Sequence, residues 1–177
     1  MPETVDQYRS RMVSYIVSYS KGQPDPLKMQ SAAAAKIARL LKGVPASKLR
    51  KQPAPGKWSV VQIIAHMADT ELVVGFRLRM ALSQSGAPLQ AYDQDKWAAA
   101  MQYEKRDARA ALEQFRAIRA GNVALLKKMR PEEWSQYGMH AERGKETIEY
   151  MVQLTAGHDI NHIRQIEAIL SGARSRH

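Results

Sequence analysis

Apolar side chains recur at intervals of three or four residues along almost the whole chain, and this spacing is the strongest constraint on its fold. Residues at that spacing share one face of an α-helix, whereas a half-buried strand alternates apolar and polar residues. The sequence contains no alternating run rich in β-branched residues. We therefore predict an all-α protein whose amphipathic helices bury their apolar faces against one another.

Capping residues, prolines and glycines mark where the predicted helices begin and end. The clearest start lies at Ser59, which can cap a helix while Gln62, three residues later, completes a capping box. Thr147 is the predicted cap of the last helix, which ends near Leu170 before Gly172. The predicted helices cover residues 4–19, 26–43, 59–83, 104–129 and 147–170, with a short helical turn at 93–101.

The segments between these helices predict the architecture. Residues 44–57 hold three prolines and a glycine, the stretch 84–103 begins as a loop, and residues 134–145 are irregular. Four long helices with such connections predict a four-helix bundle with an additional N-terminal helix. The single helical domain is predicted to span residues 1–177, with the bundle core at about 26–171 and the extra helix at about 4–19.

The composition agrees with one folded domain and excludes several kinds of site. With 177 residues, 45% of them hydrophobic, the chain can bury an adequate core. It has no cysteine, which excludes disulfides, thiolate zinc sites and a cysteine nucleophile. The first residues lack the apolar core of a signal peptide, and no apolar run of about 18 residues could span a membrane. We expect a cytoplasmic protein with no membrane partner.

The charge is strongly positive, with 27 Lys and Arg against 17 Asp and Glu, a net charge of +10. Such an excess can attract nucleic acid, anionic membranes or acidic small molecules. The basic residues are spread along every segment, and neither an arginine-rich arm nor an aromatic nucleic-acid platform accompanies them. We expect a small-molecule substrate and do not expect nucleic-acid binding.

Two histidines, His158 and His162, lie four residues apart on the apolar side of the last predicted helix. Residues at this spacing share a face one turn apart, so both imidazoles should point into the bundle. This spacing lets two imidazoles bind one metal ion, but the acid of the H-E-x-x-H motif is missing here. With five histidines in the chain, such a pair also arises by chance, so simple packing in the core stays open.

A third histidine, His66, occupies the core side of a different long helix, between Ile63 and Val73. An unpaired polar ring would be costly at such a position. Three neutral imidazoles around one divalent ion would satisfy all three rings and leave positions for water or substrate, as in catalytic sites. Spacing alone does not determine whether His66 meets the other two, so a shared site and separate buried rings both remain open.

Other polar residues are possible supports of such a site. Asp69 and Asp159 could orient ligating imidazoles, but a surface salt bridge is the favoured interpretation for each. His140 could overhang the site from the irregular segment, or be an ordinary loop histidine. His177 ends the chain and is not expected to take part.

Three segments together resemble one protein family: GKWSVVQIIAHMADTE, YDQDKWAAAMQYEKRD, and WSQYGMH followed by GKETIEYMVQLTAGHDINHIRQI. This order is similar to that of the DinB-like superfamily, also called DinB/YfiT-like metalloenzymes, from roughly Leu40 to Leu170. The resemblance implies a four-helix bundle with up-down-down-up connections, often a homodimer. It also implies a divalent metal, usually nickel or zinc, bound by His66, His158 and His162.

The resemblance further implies chemistry that uses low-molecular-weight thiols such as bacillithiol, mycothiol or glutathione. A bound metal lowers the pKa of a thiol, and this chain would have to take the thiol from solution because it has no cysteine. We expect a metal-dependent enzyme that activates a thiol or water for transfer to a small electrophilic substrate. The alternatives are a metal-dependent hydrolase and a non-catalytic metal-binding or stress-related bundle.

Overall fold

The computed structural model of the protein describes residues 25–172, together with residues 13, 14 and 18. The predicted helix over residues 4–19 lies outside the described residues apart from those three positions. In chain order the elements are α1 (Pro26–Leu41), α2 (Ala46–Arg50), α3 (Val60–Ser83), β1 (Ala87–Leu89), α4 (Gln94–Ala100), a 3₁₀ turn (Tyr103–Lys105), α5 (Ala108–Leu126), a second 3₁₀ turn (Pro131–Ser135), β2 (Tyr137–His140), β3 (Gly144–Thr147) and α6 (Ile148–Ser171).

The four long helices α1, α3, α5 and α6 form the predicted bundle, in which α1 and α3 each pack against both α5 and α6. Helices α1 and α6 run in the same direction. Gln30, early in α1, donates to the carbonyl of Val152, early in α6. Further towards the C-terminal end of each helix, Lys36 of α1 pairs with Glu167 of α6. The two outer helices of the sequence are therefore parallel neighbours.

Helices α3 and α5 also run in the same direction, opposite to α1 and α6. Asp69 of α3 contacts Arg106 just before α5, and Gly75, further along α3, lies against Asn122 near the end of α5. Helix α6 starts at the C-terminal end of α3 and passes His66, near the start of α3, about halfway along its own length, so these two helices are antiparallel. The connectivity is up-down-down-up, as the resemblance predicted, and residues 84–107 form the long return that parallel neighbours require.

The predicted N-terminal caps are present at α3 and α6, the two helices that carry His66, His158 and His162. The Ser59 hydroxyl accepts from the Gln62 amide at 3.4 Å, and the Gln62 carboxamide oxygen accepts from the Ser59 amide at 2.9 Å. The Thr147 hydroxyl accepts from the Tyr150 amide at 3.1 Å. Helix α6 ends at Gly172, whose φ of 73° favours glycine. These local signals fix where the two helices that carry the histidines begin.

We expect Ser59→Ala to lower the free energy of unfolding by about 1 kcal/mol, because it removes the acceptor of an N-terminal amide of α3. Ser59 is buried, so water cannot replace the lost hydroxyl freely. Equilibrium unfolding in urea measures the change. Ser83→Ala at the far end of the same helix is the control, since its hydroxyl bonds only to the Met80 carbonyl of the last turn. Equal effects of the two substitutions would contradict the capping account.

A small sheet and a short helix occupy segments that we predicted to be loops or irregular. Strand β2 pairs in parallel with β1 and antiparallel with β3, and α2 lies within residues 44–57. The interpretation of residues 134–145 as irregular is therefore wrong. Strands of three or four residues are too short to show a period, and Gly138 is needed because a Cβ there would lie 2.4 Å from Leu89. The sheet packs on α3 and closes one end of the bundle.

Among the described helices, none combines the length and hydropathy that a bilayer crossing requires.

Candidate metal centre

The structure brings His66, His158 and His162 together in the bundle. The Nε2 atom of His158 lies 3.0 Å from that of His66 and 3.1 Å from that of His162. One ring nitrogen from each residue lies within 4.8 Å of the others. The open question of whether His66 meets the other two is thus answered by geometry, while the binding of a metal by these rings stays a prediction.

The three imidazoles are held in the neutral form that metal binding needs. Burial, followed by the charge of His162, places the pKa of His66 well below its usual range, and burial does the same for His158. Burial lowers the pKa of His162 to about 4. At neutral pH each ring therefore offers a lone pair rather than a positive charge, as a divalent ion requires.

The chemistry of the donor set fits a divalent ion better than it fits hydrogen bonds among the rings. The His162 Nδ1 lies 2.8 Å from the Gln165 carboxamide oxygen and donates to it, so the neutral ring presents an unprotonated Nε2. His158 Nε2 has at most one proton for its two Nε2 neighbours. Two nitrogens bound to one zinc ion lie about 3.3 Å apart in tetrahedral geometry, close to the observed separations.

Polar and aromatic side chains around the rings fix their orientation. The Thr70 hydroxyl lies 3.4 Å from the His66 ring nitrogens and shares a 2.7 Å hydrogen bond with the Tyr92 hydroxyl. The Trp58 ring packs on His66 with centroids 5.0 Å apart. The roles of Gln165 and Tyr92 were not predicted. The spacing of Gln165, three residues after His162 on one helix face, was a usable signal for the former.

We expect Gln165→Leu to weaken zinc binding roughly 10- to 100-fold, because the His162 ring would lose the partner that fixes its tautomer. Competition with a chromophoric chelator measures the affinity. Asn161→Leu is the matched control, since Asn161 is also an amide of α6 that lines the cleft, and no change is expected there. An unchanged affinity in Gln165→Leu would show that the amide does not orient the ligand.

Among the described residues, Asp69 and Asp159 contact partners other than the imidazoles, as the favoured salt-bridge interpretation predicted. Asp69 accepts from the Tyr103 hydroxyl at 2.8 Å and pairs with Arg106, and Asp159 pairs with Arg119. The salt-bridge interpretation holds for both, but both aspartates are buried rather than on the surface, while the Arg106 side chain that pairs with Asp69 stays 30% exposed. The helical face explains why neither carboxylate contacts an imidazole. Each aspartate directly follows a core-facing residue, so its side chain points away from the cluster and towards a different element.

The two remaining histidines lie elsewhere. His140 is the last residue of β2 and is buried, and it does not belong to the cluster formed by the other three. His177 lies outside the described residues.

An open cleft leads to the histidine cluster. Its walls come mainly from α6, α3, the segment 48–58 and the loops beside the small sheet. Side chains that line it include Trp58, Thr70, Arg77, Tyr92, Arg143 and Tyr150. A small molecule can thus reach the cluster from solvent, which a closed structural metal site would not permit.

Comparison with known proteins agrees with this geometry. A protein of Oceanobacillus iheyensis, named as a candidate metal-dependent hydrolase, is 27% identical over 124 residues, 70% of each chain. YfiT of Bacillus subtilis, also named as a candidate metal-dependent hydrolase, is 24% identical over 152 residues, 84% of this chain and 85% of YfiT.

The solved structure of one of these relatives supports the fold. The structure of Bacillus subtilis YfiT, described as a probable metal-dependent hydrolase with an unusual four-helix bundle topology, superposes with a TM-score of 0.77 at 20% identity. The match covers 81% of this chain and 83% of that one. A sequence model of the DinB superfamily matches residues 31–166, which include all three clustered histidines. The chain belongs to the DinB superfamily.

Proposed function

We propose that this chain is a metal-dependent enzyme in which His66, His158 and His162 hold a divalent ion, nickel or zinc, at the inner end of the cleft. The observation that carries the proposal is the convergence of three neutral imidazole nitrogens where a cleft opens to solvent. Three protein ligands leave a coordination position for an external molecule, which distinguishes catalytic from structural sites. The names of the relatives agree with a metal-dependent reaction.

When bound, the ion would lower the pKa of a thiol or water molecule taken from solution, which would make a nucleophile available at neutral pH. The chain's own residues prepare the site for this. Gln165 holds the His162 ring, and Trp58 covers one side of His66. The Thr70 hydroxyl stands beside the His66 ring and bonds to the Tyr92 hydroxyl, and burial raises the pKa of Tyr92, so Tyr92 remains a proton donor for a bound substrate.

Transfer of a low-molecular-weight thiol to a small electrophile is the reaction that we favour. Asp69 and Asp159, the carboxylates nearest in sequence to the histidines, are engaged by Tyr103, Arg106 and Arg119 rather than aimed at the cluster. A thiol that binds a metal loses its proton outright, so a separate general base is not needed. Hydrolysis by activated water is the second candidate, and it is favoured by the names of the relatives.

Metal-reconstituted protein without a histidine tag distinguishes the candidates. The test uses a chromogenic electrophile and a chromogenic ester, each with and without bacillithiol, mycothiol or glutathione. Thiol transfer predicts conjugation of the electrophile only with metal and one of the thiols, and no conjugation by His158→Ala. Ester cleavage without any thiol would instead establish hydrolysis. Metal binding without either activity would contradict both and favour a binding module.

A further inference from the structure

Arg77 of α3 is a buried cation with an unused hydrogen-bond donor. Its side chain is only 8% exposed, and it lines the same cleft as His66. One of its terminal nitrogens donates to the Gln90 carbonyl, but its Nε has no partner among the described residues. Buried N–H groups are almost always satisfied in folded proteins, so an acceptor from outside the described chain is indicated.

His140 presents a second unused donor. The ring is 3% exposed, and its Nδ1 accepts from the Glu142 amide at 3.2 Å. A neutral imidazole that accepts through Nδ1 carries its proton on Nε2, so this Nε2 is a donor. In the described part of the chain it also has no hydrogen-bond partner.

The small sheet places these two donors in the same region of the molecule. His140 is in register with Leu89 in the β1–β2 pair, and the next residue, Gln90, is the one that holds the Arg77 guanidinium. The pKa of His140 is lowered to about 4, first by burial and then by the charges of Arg143 and Arg77, which agrees with their proximity. Two donors and a positive charge therefore meet at one end of the sheet.

Arg77 is the cation of this region without a carboxylate partner among the described residues, although the nearby carboxylates of Glu146 and Glu142 offset part of its charge. The guanidinium of Arg143 is held by the Glu146 carboxylate through two nitrogen–oxygen contacts, whereas the recorded hydrogen bond of Arg77 goes to a neutral carbonyl. A guanidinium recognises carboxylate and phosphate groups through paired hydrogen bonds. An oxyanion would accept from both donors and also complement the positive charge of Arg77, which a neutral acceptor such as water would not do.

We propose that Arg77 of the cleft wall, with the buried His140 as a second donor beside the lining residues Ala141 and Glu142, forms an anion-binding subsite that takes the carboxylate or phosphate group of the substrate. Arg77 follows His66 by 11 residues on the same side of α3, about 16 Å along the helix axis. The substrate class is therefore an extended small molecule with its anionic group at one end and its reacting atom at the other. This assignment of the ligand as substrate rests on the proposed function, whereas anion binding by Arg77 does not.

Calorimetric titration of the full chain with inorganic phosphate and with acetate tests the subsite, in zinc-loaded and metal-stripped protein. Wild-type protein is expected to bind at least one of the two anions saturably in both states. Arg77→Gln should weaken that binding about tenfold or more. The control is Arg79→Gln on the same helix, because the Arg79 guanidinium bonds to Gly75 and Asn122 instead. Its affinity for the anion should be unchanged.

The outcomes separate the possible ligands and the two proposals. Binding of phosphate alone or acetate alone names the ligand class. Binding of neither anion, or equal binding by Arg77→Gln and wild type, would overturn the subsite. If Arg77→Gln does not fold, Arg77→Lys and His140→Phe provide the same comparison, and unchanged binding in both would overturn it. Loss of anion binding in Arg77→Gln, in a protein that never binds zinc, would support the subsite and refute the metal proposal.

Discussion

His158→Ala is expected to lose stoichiometric metal binding, with its zinc affinity reduced by more than about 100-fold. This loss exceeds the roughly 10- to 100-fold range that is typical for residues that only orient a ligand. The effect should be the largest among the three histidines. The His158 Nε2 lies 3.0 Å from that of His66 and 3.1 Å from that of His162. Its removal therefore takes away the ligand atom that lies close to both of the others. Metal analysis after dialysis against the ion, together with chelator competition, measures the loss.

His140→Ala is the matched control for this prediction, because it removes the same side chain from outside the cluster. It should bind zinc with the affinity of the wild-type protein, provided that circular dichroism shows the same fold. A His158→Ala protein that retains one zinc ion per chain at wild-type affinity would refute the assignment. Equal losses in the two variants would indicate that destabilisation, rather than removal of a ligand, is responsible.

Arg119→Met is expected to lower the free energy of unfolding by about 3–5 kcal/mol, because it leaves buried carboxylates without their counter-charge. Arg119 of α5 binds Glu71 of α3 at 2.7 Å and Asp159 of α6, and it also donates to the Gln30 carbonyl of α1 at 3.0 Å. One buried guanidinium thus joins all four long helices. Urea unfolding at pH 7 gives the change directly.

Arg116→Met is the control for this prediction, since Arg116 precedes Arg119 by one turn but is 49% exposed and pairs with the exposed Glu113. Its loss should cost less than about 1 kcal/mol. Combining Arg119→Met with Glu71→Gln and Asp159→Asn removes the charges together and should recover part of the stability. A cost for Arg119→Met no larger than that of Arg116→Met would contradict the account.

Much of the bundle could be predicted because its signals are local. The spacing of apolar residues and the caps at Ser59 and Thr147 depend only on neighbours in the chain, and both caps are present. The short strands could not be predicted, because three or four residues show no period. The 3₁₀ turn at Tyr103–Lys105 also shortens the helix that was predicted from residue 104, which begins at Ala108 after the Asp107 cap.

The site was predictable to the extent that helical faces determine it. The spacing of His158 and His162 places both rings inside the bundle, and His66 follows the same rule on α3. The partners of charged residues were not predictable, because pairing depends on which helices meet. Arg119 is 40 residues from Asp159 and resembles any other basic residue of this cationic sequence, yet it lies at the centre of the core.

Several expectations from the sequence and from the resemblance stay predictions. They are the identity of the ion as nickel or zinc, the use of a thiol, the homodimer, the cytoplasmic location and the absence of nucleic-acid binding. Each concerns a molecule or compartment outside the chain. The metal is the first to establish, since the thiol and the substrate reaction depend on it.

X-ray absorption spectroscopy of zinc-reconstituted protein without a histidine tag, combined with metal analysis, tests the central claim most directly. We expect one zinc ion per chain, bound by three imidazole nitrogens at about 2.0–2.1 Å and by one oxygen atom from solvent. In His158→Ala this imidazole signal should disappear. A wild-type protein that takes up no divalent ion after reconstitution, or one whose bound zinc has fewer than three imidazole ligands, would contradict the three-histidine centre.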